Sequence, residues 1–147
     1  MPLKLTFKDY ISIKIHKTDL NLTSYIKARL DKFNLAPEQN LIMMLLWERD
    51  GLTQNQLATF LHKDKTNIAR MVSSLEQKGF IRRTHCPDDR RSFELYLTPC
   101  GKKLGEKVMP IAEEFDKTVC EGLSNEELAE LDRLLSIINK NVTTSKE

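Results

Sequence analysis

Between Thr53 and Leu97 the apolar period of the chain changes from helical to alternating, and the residues that punctuate the change leave few folds open. Thr53 has Gln56 three positions on, the spacing of a reciprocal capping box, and Leu57, Phe60 and Leu61 follow as the buried face of a short helix. Asp64 then caps a second helix, in which Ile68, Met71, Val72 and Leu75 recur at i, i+3, i+4 and i+7 and form one apolar stripe. Thr66, Asn67, Arg70 and Ser74 lie away from that stripe. Gly79 supplies a helix stop, after which Phe80 to His85 reads as a strand. Phe93, Leu95 and Leu97 alternate with Glu94 and Tyr96 in a second strand, and Cys86 to Arg91 is the polar turn between the two. Two short helices joined by a tight turn and followed by a hairpin predict a mainly α chain with a small β-wing.

The flanks are helical. From Thr6 to Phe33, apolar residues including Phe7, Ile11, Ile15, Leu22, Ile26 and Leu30 recur with few breakers, which predicts one long helix or two joined ones. Pro37 opens a further helix that ends near Arg49, ahead of Asp50-Gly51. After Pro99, Leu104, Val108, Ile111, Phe115 and Val119 share one side of a helix, with Pro110 as a possible kink. Ser124 and Glu127 make a second capping box, opening a last helix with the stripe Leu128, Leu131, Leu135 and Ile138 and a frayed tail from Thr143 to Glu147. The expected organisation is an N-terminal helical segment at 1–36, a helix-turn-helix with its wing at 37–98, and C-terminal helices at 99–147. No repeat or low-complexity tract interrupts it.

Composition narrows the functional classes. No apolar run approaches the roughly 20 residues needed to span a bilayer, and Met1 to Phe7 carries no apolar signal core, so a cytoplasmic location without a membrane partner is expected. Cys86, Cys100 and Cys120 have neither CxxC nor zinc-finger spacing, and His16, His62 and His85 are scattered, so neither a disulfide framework nor a metal site is expected. No nucleophile–base pair, phosphate-cradling glycine loop or paired carboxylates stand out, and neither an enzyme nor a cofactor is expected. Residues 62–91 hold eight Lys/Arg against four Asp/Glu, a net +4, whereas the rest of the chain is −2. Such a basic island is either a surface that meets a polyanion or a solvated, charge-rich face.

The second short helix favours the polyanion. Its first turns present Lys65, Thr66, Asn67 and Arg70, and a helix placed after a tight turn can carry such residues into a major groove about 12 Å wide. Arginine engages guanine and asparagine adenine in bidentate fashion, while lysine and threonine more often hold phosphate, as Thr53 at the start of the preceding helix would. The same residues could instead be an ordinary solvated helix face.

From about Leu35 to the last helix the chain resembles the MarR regulators. Leu52-Thr53-Gln54-Asn55-Gln56-Leu57-Ala58 is similar to the family's first reading helix. Thr66 to Val72, continued by Leu75 to Arg83, is similar to its recognition helix and first wing strand. Asp89-Arg90-Arg91 through Leu97-Thr98 fits its wing signature of Asp-x-Arg, five residues, then Leu-Thr. The resemblance implies a winged helix-turn-helix flanked by N- and C-terminal dimerisation helices, in a homodimer that binds a pseudo-palindrome in double-stranded DNA and regulates transcription, most readily as a repressor. It further implies that Arg91 enters the minor groove from the wing tip and that Asp89 braces its guanidinium by a charge-assisted hydrogen bond, with Arg90 at phosphate. His62-Lys63 departs from the family's usual glycine and apolar residue in the reading turn. Histidine is among the residues that tolerate positive φ, and Lys63 either adds a phosphate contact or is solvated.

Many MarR regulators release DNA when a small aromatic or phenolic compound enters a cleft beside the dimer helices. Ile11, His16, Met43 and Trp47 are the candidates for such a pocket, with a structural core role as the alternative for each. Some relatives sense oxidants through an N-terminal cysteine, but this chain has none before Cys86. Cys86 sits on the wing among His85, Arg83 and Arg90, where cations could lower its pKa and make it an oxidant sensor. A winged helix used to bind another protein is the remaining alternative.

Overall fold

The computed structural model describes residues 5–144; of the frayed tail expected at 143–147, Thr143 and Thr144 instead end the last helix, and 145–147 lie outside the described residues. The described residues up to Ala112 form one compact unit and those from Glu113 onward a second. A 3₁₀ turn at Phe7–Asp9 leads into α1 (Ile11–Leu30), and a second 3₁₀ turn at Asp31–Phe33 ends it. There follow α2 (Pro37–Glu48), α3 (Gln54–Leu61), α4 (Lys65–Gln77), the hairpin β1 (Ile81–Cys86) and β2 (Asp89–Leu97), α5 (Pro99–Val119) and α6 (Asn125–Thr144). Among the described residues no helix is long and apolar enough to cross a membrane.

The core of the first unit gathers one stripe from each element. Ile26 and Leu30 of α1, Ile42, Met43 and Leu46 of α2, Leu57 of α3, and Ile68, Met71, Val72 and Leu75 of α4 are buried together with Ile81, Leu95, Leu104 and Val108. Burying a side chain of this size contributes about 1.5–3 kcal/mol each, so the α4 stripe fixes which of its faces remains outside. Phe60, expected on the buried face of α3, is exposed. Eight residues make only two turns of helix, and Leu57 already fills the position that faces α4. Ser74, expected to lie away from the buried stripe, is half-buried, and its hydroxyl accepts from the Gln39 amide at 2.9 Å. Gln39 also accepts from the Lys78 ammonium at 2.7 Å, and Lys78 reaches the Asn34 carbonyl at 2.7 Å, which ties the end of α4 to both ends of the α1–α2 connection.

β1 and β2 pair antiparallel from Ile81–Leu97 to His85–Phe93, and Cys86 pairs with Asp89 across the two-residue turn Pro87-Asp88. His85 and Cys86 are adjacent, whereas Phe93 and Asp89 are not, so Arg90, Arg91 and Ser92 bulge from the ladder. A third segment closes the sheet edge. Gly51 donates to the Leu95 carbonyl and Leu95 to the Leu52 carbonyl, each at 2.9 Å, and Asp50 accepts from the Leu97 amide at 2.9 Å. At the far end of β2, Thr98 caps α5: its hydroxyl oxygen accepts from the Gly101 amide at 3.0 Å and its hydroxyl donates to the Gly79 carbonyl at 2.6 Å. One threonine thereby joins the stop of α4, the end of the wing and the start of α5.

Candidate nucleic-acid interface

The tight turn between α3 and α4 forms as its sequence allows. Thr53 accepts from the Gln56 amide at 3.0 Å while Gln56 accepts from the Thr53 amide at 2.9 Å, closing the expected capping box. His62 ends α3 with φ 53°, in the left-handed region, and the Lys63 amide donates back to the Ala58 carbonyl at 3.1 Å. Asp64 then accepts from the Asn67 amide at 2.7 Å, satisfying one of the orphan donors of α4 and placing its first turn outward.

Lys65, Thr66 and Arg70 are exposed on that outer face, and Asn67 is half-buried. The Asn67 side-chain carbonyl accepts from the Arg70 guanidinium at 3.2 Å, so the two residues expected to read bases lie side by side along the helix. The start of α3, the start of α4 and the wing converge on a cleft of about 550 Å³ lined by Gln54, Asn55, Lys65, Thr66, Ala69, Asp89, Arg91 and Ser92. Two helix N-termini and two cationic side chains border one concavity, an arrangement suited to anionic oxygens. Gln54, Asn55 and Ser92 were not among the expected contact residues. Polar side chains in the first turn of a capped helix were the available signal for Gln54 and Asn55, and the Gln54 Oε1 is buried with no hydrogen-bond partner among the described residues.

Three expectations change in detail. Asp89 does not brace the Arg91 guanidinium: it accepts from the Arg91 backbone amide at 2.9 Å and from the Ser92 hydroxyl at 3.2 Å. A carboxylate two residues before an amide closes that local ring readily, and the bonds shape the bulge and leave the guanidinium to solvent. Lys63 does not stand free. It pairs with Glu38 of α2 at 3.2 Å, with 22% of its side chain exposed. Cys86 has its pKa raised, not lowered, first by burial and then by Glu94, Asp89 and Asp88. The neighbouring cation Arg83 is drawn instead to Glu76 of α4, which takes the Arg83 guanidinium at 3.2 Å and its backbone amide at 3.1 Å.

The basic island therefore divides. Lys63 pairs with Glu38, Arg83 with Glu76, Lys78 is held by Asn34 and Gln39, and Arg82 lies over the Tyr96 ring at 5.6 Å. Lys65, Arg70, Arg90 and Arg91 are exposed and, among the described residues, form no ion pair. Burial pulls the Lys78 ammonium below the usual lysine range.

The four residues expected to line a ligand pocket do not come together in the single chain. Ile11 and His16 are exposed on α1, and Met43 is fully buried in the core, because α2 is packed among α1, α3, α4 and β2. Trp47 lines two neighbouring cavities of about 560 and 500 Å³, the first with Leu46, Leu97 and Met109 and the second with Leu41, Met44 and Leu61. Its indole N–H donates to the Gly101 carbonyl at 2.9 Å.

The MarR family model matches residues 35–93, which run from the approach to α2 into the second strand of the wing. The chain is 30% identical over 107 residues to the organic hydroperoxide resistance transcriptional regulator of Bacillus subtilis (strain 168), covering 73% of each. It is 31% identical over 120 residues to the HTH-type transcriptional regulator BilQ of Clostridium symbiosum (strain WAL-14163), covering 82% of this chain and 83% of that one. Among solved structures it is similar to MepR of S. aureus in complex with DNA, with a TM-score of 0.84 and 26% identity over 90% of this chain and 98% of that chain. The capped reading turn, the outward first turn of α4 and the bulged wing thus sit in a chain that belongs to the MarR family of transcriptional regulators.

Proposed function

We propose that the chain binds double-stranded DNA as a homodimer, places α4 in the major groove and the wing in the minor groove of a pseudo-palindromic operator, and represses transcription until a small aromatic or phenolic compound releases it. The observation that carries this reading is the cleft at which the N-termini of α3 and α4 meet the wing, beside the exposed cations Lys65 and Arg70 of α4 and Arg90 and Arg91 of β2. Lys65 and Arg90 suit phosphate, Asn67 and Arg70 base edges, and Arg91 the minor groove. Thr53 keeps its hydroxyl hydrogen available for phosphate after accepting its capping bond.

The dimer is supported by apolar side chains without cover in the single chain. Phe7, Tyr10, Ile11 and Ile15 at the N-terminus are exposed, as are Leu131, Leu134, Leu135 and Ile137 on α6. A two-fold pair would read half-sites about one helical turn, roughly 34–36 Å, apart. The effector is supported by the two cavities that share Trp47, whose aromatic wall and neighbouring methionines suit a flat apolar ring. An oxidant-sensing role for Cys86 finds no support in its raised pKa.

Selection of bound sequences from a random duplex pool, with and without a panel of aromatic acids, tests the whole reading. The expected result is an enriched inverted repeat whose recovery falls in the presence of at least one acid. Recovery of no preferred sequence, with affinity indifferent to salt, would refute DNA reading by this face.

A further inference from the structure

The peptide group between Arg90 and Arg91 is held at both ends. Its carbonyl, that of Arg90, lies within hydrogen-bond distance of His85 Nδ1, and its N–H, that of Arg91, donates to Asp89 Oδ1 at 2.9 Å. A carbonyl can only accept, so Nδ1 carries the proton in this bond. The ring itself is located from behind: its centroid is 4.7 Å from that of Phe93, its cross-strand partner, and Phe93 lies 5.1 Å from the Arg83 guanidinium that Glu76 of α4 holds. A continuous set of contacts thus runs from the recognition helix to one peptide plane in the wing.

We propose that His85 is a positioning residue of the wing: with Asp89 it clamps the peptide plane that joins Arg90 to Arg91, and so sets the directions in which both cations leave the backbone. Three bulged residues between paired ones would otherwise leave that stretch free to rearrange, and a rearrangement would move Arg91 from the cleft it lines with α4. Orienting the arginines before DNA arrives removes part of the ordering cost of binding. The clamp rests on the DNA-reading role given to the wing above, but its geometry is open to test without DNA.

The variants His85→Ala, His85→Asn and His85→Gln of the full chain separate the possibilities. Asparagine places an amide N–H where Nδ1 stands, whereas glutamine places it nearer to Nε2. In the DNA-free protein, long-range proton–nitrogen spectra of the wild type are expected to show Nδ1 protonated. Hydrogen exchange at the Arg91 amide is expected to quicken about tenfold in His85→Ala and His85→Gln and to stay near wild type in His85→Asn, while the Leu95 amide is unchanged in all three. Affinity for the selected operator is expected to fall about three- to tenfold in His85→Ala and to be restored in His85→Asn. Arg91 exchange unaffected by His85→Ala would overturn the clamp, as would faster exchange with full affinity in a protein that Arg91→Ala weakens. If Arg91→Ala itself leaves affinity intact, the DNA-reading role of the wing is what fails, and faster Arg91 exchange in His85→Ala still upholds the clamp.

Discussion

Adding a single methyl group at Gly101 is expected to be among the most damaging small changes in the chain. A Cβ built there would lie 2.0 Å from the Phe80 carbonyl oxygen and 3.0 Å from its carbon, and both are backbone atoms that cannot swing aside. An ordinary carbon–oxygen approach is about 3.3 Å or more, so the first turn of α5 and the start of β1 must separate by about 1.3 Å. The same movement stretches the bond from the Thr98 amide to the Phe80 carbonyl, now 3.1 Å, and that from the Trp47 indole to the Gly101 carbonyl, now 2.9 Å. Overpacking of about 1–3 kcal/mol and two neutral hydrogen bonds of about 1 kcal/mol each give a loss of roughly 3–5 kcal/mol for Gly101→Ala. At about 2–4 °C per kcal/mol for a chain of this size, the melting temperature should fall by roughly 6–20 °C. Trp47 is the one tryptophan of the chain, so urea titration followed by its fluorescence reads both the stability and the contact itself. Gly79→Ala is the control: Gly79 has φ +84° with no atom within 4 Å of an added Cβ, and should cost only the backbone strain of about 1–2 kcal/mol. Gly101→Ala melting at or above Gly79→Ala, with unaltered tryptophan emission, would refute the steric argument.

Other expectations follow from single contacts. Asp64→Ala removes the acceptor of the Asn67 amide and should cost about 1 kcal/mol in denaturant titration, with α4 amides near its start exchanging faster; unchanged exchange there would mean that the cap is dispensable. Cys86 should be alkylated more slowly than a free thiol at neutral pH and speed up only as pH rises past the ordinary cysteine range, since burial and three carboxylates oppose its thiolate; rapid labelling at pH 7 would contradict that environment. For operator binding by the dimer, contacts by Lys65, Arg70, Arg90 and Arg91 of each protomer alone give a slope of log affinity against log salt no steeper than about −7, whereas about −14 would require all eight Lys/Arg of residues 62–91 to reach phosphate.

The elements were legible where local rules act alone. Both capping boxes, at Thr53 with Gln56 and at Ser124 with Glu127, form with the reciprocal bonds that their spacing predicts. The buried stripe of α4 is the one its period predicts. What escaped was decided between distant segments. Asp50-Gly51 reads locally as the end of a helix, yet the carboxylate also accepts from the Leu97 amide and the glycine amide pairs with Leu95, adding an edge to the wing. Phe60 reads as apolar and therefore inward, yet two helical turns offer too few buried positions for it. Thr98 reads as the end of a wing signature, and its link from Gly79 to Gly101 depends on three elements arriving at one place.

The charge of the reading segment shows the same division more sharply. A net +4 for residues 62–91 suggests that four of its eight cations are cancelled, but ion pairs in the structure neutralise only two of them, Lys63 and Arg83. Only one of the segment's own carboxylates neutralises one of its cations, Glu76 with Arg83. Asp64 and Asp89 spend their oxygens on backbone amides, which orients side chains without cancelling the charge nearby. Lys63 is neutralised from outside by Glu38, and Lys78 is held by a carbonyl and an amide that carry no charge at all. Counting charges therefore locates a basic surface, while the acidic residues within it build the turn and the bulge that aim the cations. Replacing Asp64 or Asp89 to make the segment more basic would loosen the turn and the bulge that orient the cations proposed to meet DNA.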